Sequence, residues 1–238
     1  VPSGKSLDVE GFHIRESFEG LDLDYFTAVA ARFERCSFNG TRIRQACFGA
    51  GVETSEYVDC TFDKAHLSAL SPGVARFERC TFRGTRVVKW LCDSIELIDC
   101  VFTGRISETN FAGAMSPMDA RMIGRTTNRF EGNDFSGATL SGVAFRGGID
   151  LLDQRLPTSG VVLVEDGATV LPRMLDLAKA WPDSPAKERI VATVEVDMMR
   201  LAGGQRHFLF TAATWDSKTY AGLDMYDKIV DLVRLAST

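Results

Sequence analysis

Histidine is scarce in this chain of 238 residues, which holds only His13, His66 and His207. None stands at metal-ligand spacing from another histidine, a cysteine or an acid, so no metal site is expected. No apolar run approaches the ~20 residues of a membrane span, and among the longest is Val161-Val162-Leu163-Val164. No membrane association is therefore expected. Residues 1–5 lead into no apolar segment of the signal-peptide kind. Blocks of like charge are missing too. The net charge is −5, and the stretch up to Asp150 holds 17 basic and 20 acidic residues. A plain electrostatic binder of nucleic acid shows a basic patch, so direct nucleic-acid binding is not expected. Gly-x-Ser-x-Gly, phosphate-loop and dinucleotide fingerprints are all lacking, and no cofactor is expected. Gly203-Gly204-Gln205 echoes a phosphate loop without its lysine and reads better as a helix end.

What the chain does have is a ladder. Cys36-Ser37-Phe38, Cys60-Thr61-Phe62, Cys80-Thr81-Phe82 and Cys100-Val101-Phe102 are copies of one tripeptide. The last three recur every 20 residues, and the first lies 24 ahead of the second. A period of five runs around each copy, as in Phe33, Phe38, Ile43, Phe48 and in Phe130, Phe135, Leu140, Phe145. Five matches neither a helix nor a strand. Within each five, however, a small and a large residue stand two apart: Ala31/Phe33, Cys36/Phe38, Thr41/Ile43, Ala46/Phe48. Spacing of two in extended chain puts both on one face. The polar residues and glycines between suit a turn. Each unit is thus a short side followed by a corner, and four sides close a turn of 20 residues. Stacked turns place Phe38, Phe62, Phe82 and Phe102 in one interior column, with Cys36, Cys60, Cys80 and Cys100 beside it. The four extra residues fall near Gly49-Ala50-Gly51-Val52, as a corner loop.

All six cysteines lie in this region. Rungs ~4.8 Å apart are too widely spaced for disulfides, whose Cβ atoms approach ~3.8 Å. A straight column of thiols also makes no tetrahedron for zinc. Small buried thiols in a reducing cytoplasm are the expectation.

The run Asn133-Asp134-Phe135-Ser136-Gly137-Ala138-Thr139-Leu140-Ser141-Gly142-Val143-Ala144-Phe145 resembles the pentapeptide-repeat family, and the resemblance covers about residues 12–150. It implies a right-handed, quadrilateral parallel β-helix. Residues 1–11 are expected to cap one end, and the register breaks at Met115–Thr127, where a loop or protruding turn is expected. Residues 151–238 read as an α-rich cap or small domain. Strands are expected at Val161–Val164 and His207–Thr211. Helices are expected over Val170–Trp181, from the Ser184-Pro185 cap to Gly203, and over Leu223–Leu235. The last helix carries the stripe Leu223, Tyr226, Ile229, Val230 and Val233. It either packs on its own domain or forms a homodimer.

Function is less legible. The leading reading is a non-catalytic scaffold for a protein partner, built on a rigid coil. Outward charges form its candidate surface: the acidic cluster Glu53, Glu56, Asp59 and Asp63, and the repeated Arg42 and Arg86. A solvated wall of cross-rung ion pairs is the plainer account of the same residues. The family resemblance implies a second reading, a mimic of duplex DNA acting on gyrase or topoisomerase IV and conferring resistance to their poisons. The repeated arginines argue against it, because a mimic needs an acidic stripe. A third reading places an enzyme or ligand site in residues 151–238. Catalytic candidates are weak there, since Glu195 and Asp197 stand two apart on a helix and share no face. His66 is expected to point outward from a coil side, and His207 to be structural.

Overall fold

The structure is a computed structural model describing residues 5–71, 73–215 and 220–238. The chain is mainly β and begins with a parallel β-solenoid of about five turns. Strand β1 (Ser6–Ile14) pairs in parallel with β2 (Asp22–Glu34), which turns a corner and feeds two ladders. One continues through β4 (Ser55–Val58), β6 (Ala75–Glu78), β8 (Ile95–Ile98) and β10 (Phe130–Glu131). The other continues through β3 (Arg42–Ala50), β5 (His66–Leu70), β7 (Thr81–Cys92), β9 (Val101–Ala112) and β11 (Asp134–Arg146). Each small/large pair of the five-residue pattern is buried: Ala31 with Phe33, Cys36 with Phe38, Thr41 with Ile43, Ala46 with Phe48. The corners need left-handed backbone. Arg35, Asp59, Arg79 and Asp99 take it one above another, at φ between 52° and 55°. The longer turn bends at residues 51–53, slightly past the expected loop at 49–52, because β3 runs on through Ala50. There the chain passes so close that a Cβ on Gly49 would sit 1.9 Å from the Val74 carbonyl oxygen.

The interior is filled by rings. Phe18, Phe38, Phe62, Phe82, Phe102 and Phe135 stack at 4.6–4.8 Å. His13, Phe33, Tyr57 and Phe77 stack beside them at 4.6–5.0 Å. All six thiols are free. Four of them tie the rungs together: Cys36, Cys60, Cys80 and Cys100 donate to the carbonyls of His13, Phe33, Tyr57 and Phe77 on the preceding rung, at 3.2–3.5 Å. On the next rung Asn133 takes the cysteine's place, and its Nδ2 donates to the Leu97 carbonyl at 2.9 Å.

Two expected boundaries shift. The described part of residues 1–11 is no separate cap, since Ser6–Ile14 is a coil strand in register with Tyr25–Glu34. The coil also continues past Asp150. Arg155 bridges to Asp134, and buried Gln154 accepts from Asn133 and donates to the Phe130 carbonyl. A polar side chain does there what the hydrophobic pattern does elsewhere, so the five-residue signal ends before the coil does. At the register break, helix α1 (Pro117–Ile123), capped by Ser116, interrupts a turn and has no buried residue. Phe135 still stacks on Phe102 at 4.8 Å.

The remaining chain forms a second core. Helices α2 (Gly167–Lys179), α3 (Pro185–Ala202) and α5 (Met225–Ala236) pack with an antiparallel pair, β12 (Val161–Val164) and β13 (Phe208–Thr211). Between β13 and α5 lies the short helix α4 (Ala212–Trp215). Ser184 caps α3 as the sequence predicts. On α5, Ile229 and Val233 are buried in this core and Tyr226 packs against it, as does Leu223 just before the helix begins. Of the two readings of that stripe, the structure realises packing on its own domain. Val230 of the stripe is only partly buried and lies outside that core. No described helix is long and apolar enough to cross a membrane.

Candidate functional site: the charged walls and the terminal cleft

The β4–β6–β8 wall carries an alternating ladder. Register sets Arg32, Glu56, Arg76 and Glu96 on successive rungs. Arg32 pairs with Glu56, which Arg76 approaches at 3.5 Å. Arg76 meets Glu96 at 2.8 Å, and Arg125, from the chain after α1, meets Glu96 at 3.2 Å. The Glu96 side chain is only 3% exposed. It accepts a further bond from the Arg129 backbone at 3.2 Å. Burial pushes the Arg125 guanidinium below its ordinary pKa. Along the next corner Asp59 meets Arg79 at 2.8 Å, a hydrogen bond that holds its carboxyl below the usual range. Asp63 accepts from the Arg83 backbone at 2.8 Å, with the guanidinium 3.6 Å away.

The acidic cluster read from the sequence is therefore not a free stripe. Glu56, Asp59 and Asp63 each answer an arginine one rung away. Glu53 stands apart, exposed in the corner loop. The two arginines of the candidate surface lie on a different wall. Arg42, His66, Arg86 and Arg105 occupy one register column on β3, β5, β7 and β9. The structure thus separates the expected acidic and basic residues instead of bringing them together. The column was half visible as the repeat Arg42/Arg86, but His66 and Arg105 join it only once the strands are in register.

The second concave region lies where the coil meets the C-terminal unit. Thr211 Oγ1 donates to the Leu140 carbonyl at 2.7 Å, and Ser141 Oγ to that of Ala213 at 2.9 Å. Buried Gln205 accepts from the Gly148 and Ile149 backbones and donates to the Ile149 carbonyl. His207 Nδ1 accepts from the Leu151 backbone at 3.2 Å, which gives this histidine a structural partner. These bonds close the last rung. They leave a cavity of about 370 Å³ lined in part by Asn110, Phe145, Thr193, Asp197, Arg200 and Phe210. Asp197 is buried, and burial raises its carboxyl to a pKa of about 6 against the pull of Arg200 at 2.7 Å. The sequence showed Gln205 only as part of a helix end and Asp197 only as a weak candidate beside Glu195, because their roles depend on tertiary neighbours with no sequence spacing to betray them. Among the described residues no group of three or more His, Cys, Asp or Glu is placed to hold a metal.

No family model matches the chain, and no curated protein matches it. Among solved structures, a trypsin-treated form of QnrB1, a plasmid-mediated fluoroquinolone resistance protein, is similar at a TM-score of 0.21 and 12% identity. The match covers 58% of this chain and 92% of that one. A likeness at that score carries no argument, and the fold rests on the strand register itself.

Proposed function

We propose that the protein is a non-catalytic interaction scaffold of the pentapeptide-repeat kind, with its coil walls as the recognition surface for a protein partner. The observation that carries this reading is the rung register. Outward side chains stand at fixed intervals on a core of stacked rings, so a partner meets a surface already ordered and little entropy is lost on docking. The coil's reactive groups are spent on structure, as the thiols bonded to carbonyls show. Unpaired buried thiols suit a reducing compartment such as the cytoplasm.

The test captures partners on the immobilised full chain. Binding lost on reversing wall charges and kept in Asp197→Asn supports the scaffold. Substrate turnover that Asp197→Asn abolishes refutes it. DNA mimicry is the weaker reading, because Glu56, Asp59 and Asp63 are paired with arginines and leave no continuous acidic stripe. A gyrase supercoiling assay with and without a fluoroquinolone separates the two. Inhibition or drug protection would restore mimicry, and no effect would leave the scaffold.

A further inference from the structure

Charge on the coil is distributed unequally between its walls. On the β4–β6–β8 wall arginine and glutamate alternate from rung to rung. On the β3–β5–β7–β9 wall they do not. Asp22 pairs in register with Arg42, Arg42 with His66, His66 with Arg86, and Arg86 with Arg105. Asp22 is taken by Arg44 at 2.7 Å, and Arg44 also draws Asp24 at 3.2 Å. Glu108 is taken by Lys89 at 3.7 Å, and Asp63 by Arg83. Among the described residues Arg42, Arg86 and Arg105 are exposed and form no ion pair, although Arg42 lies next to Asp22 in register. Three guanidiniums and an imidazole thus stack at ~4.8 Å intervals, a column that repels itself. The lane next to it runs from Arg44, which is paired with Asp22 and Asp24, to the uncharged Ser68, Val88 and Ser107.

We propose that this column is the docking track for an acidic helix of a protein partner. This rests on the scaffold reading and names its partner chemistry. Charge complementarity calls for a row of carboxylates, and spacing selects their carrier. Arg42 to Arg105 covers about 14 Å, three rung steps. Glutamates four, three and four residues apart on a helix cover about 16 Å. Four same-face side chains of an extended strand cover about 20 Å. Arginine side chains absorb a mismatch of about 2 Å, not one of about 6 Å. Both ends of the track are bounded. Asp22 and Asp24 lie at one end. At the other, Arg86 and Arg105 line a recess that Thr214 and Tyr220 of the C-terminal unit close off, with Glu108 at its edge. At the rung after Arg105 the chain at Ala213 and Thr214 is bonded onto Ser141 and Gly142 of β11, so a long polymer running down the coil is obstructed there, whereas a short acidic helix fits on the track.

The test is fluorescence anisotropy at low salt, with the full chain and three labelled probes. The first is an alanine-rich helical peptide with glutamates four, three and four residues apart. The second has the same composition with its glutamates spread around the helix. The third is a thymidine oligonucleotide. The first probe is expected to bind in preference to the other two. R86Q with R105Q together should weaken it about tenfold, and R79Q at the ion-paired corner should leave it unchanged. These side chains are exposed, so an unchanged circular dichroism melt confirms folded variants. Equal binding of the scattered peptide, tighter binding of the oligonucleotide, no saturable binding, or indifference to R86Q and R105Q each overturns the proposal. Each of those outcomes leaves the scaffold reading standing, since its own test is turnover against capture.

Discussion

Replacing Phe82 by alanine tests the physical account of the coil most directly. Phe82 is fully buried and lies between Phe62 at 4.8 Å and Phe102 at 4.6 Å, both rings nearly parallel to it. Phe77 meets its edge at 5.8 Å. Truncation removes the ring from the middle of a stack whose rungs are held by backbone bonds and cannot collapse into the gap. The cost belongs at the upper end of the range for buried phenylalanine, about 4–5 kcal/mol. Phe18 supplies the internal comparison. It is only half-buried, sits in the first turn and stacks on Phe38 alone. Phe18→Ala should cost about 1–2 kcal/mol. Urea unfolding of the two variants and the parent, followed by far-ultraviolet circular dichroism, gives the two losses. Equal losses would refute the reasoning, because they would mean that ring position in the stack does not set stability.

Three further outcomes follow from charged groups. Glu96→Ala leaves Arg125 half-buried without its acid and should lower stability by about 3–5 kcal/mol, read as a fall in Tm. Asp197 releases its proton near pH 6 in the folded protein and near 3.8 when unfolded. The folded state therefore holds that proton more tightly, and stability should fall by about 3 kcal/mol as pH rises from about 4 to 6, then stay level. Asp197→Asn should abolish that slope in urea titrations at pH 5 and 7. The His66 pKa is lowered, first by burial and then by Arg86 and Arg42. Arg86→Gln should move its proton NMR titration upward, and an unmoved midpoint would deny that the two side chains face each other.

The coil was legible because its signal is periodic and its residues are unambiguous. Cys36, Cys60, Cys80 and Cys100 have little reason to recur with a phenylalanine two residues on unless both point inward from stacked turns. The signal failed where polar atoms replaced apolar ones. Asn133 does a cysteine's work, and Gln154 holds a rung closed after the repeat has ended. Gln154 lies outside the five-residue pattern, and the polar side chains of both have their place only once the backbone groups they satisfy are in position. The candidate site was less legible for a related reason. A sequence shows that Glu56, Asp59 and Asp63 lie near one another along the chain, but ion pairing here runs across rungs, 20 or more residues away. Cross-rung ion pairs were expected of this wall, but their assignment, Arg76 to Glu56 and Arg79 to Asp59, follows only from the strand register.

The same cross-rung logic explains why the two walls differ. A solenoid places residue i above residue i+20, so a near-copy of a turn stacks like on like. Arg42 and Arg86 come from such copies, the segments beginning at Ala31 and Ala75, and with only His66 between them their column holds no acid. Arg32 and Arg76 come from the same two copies. On their wall Glu56, from the intervening longer turn, stands between them and neutralises both. Sequence repetition therefore builds self-repelling columns by default, and each needs an interposed acid to be silenced. The β4–β6–β8 wall received two, Glu56 and Glu96, and the second is buried and bonded three ways. The Arg42–Arg105 column received none along its length. Coil stability alone gives no reason for that difference, and it is the reason the arginine column, and not the acidic cluster, is the surface on which to look for a partner.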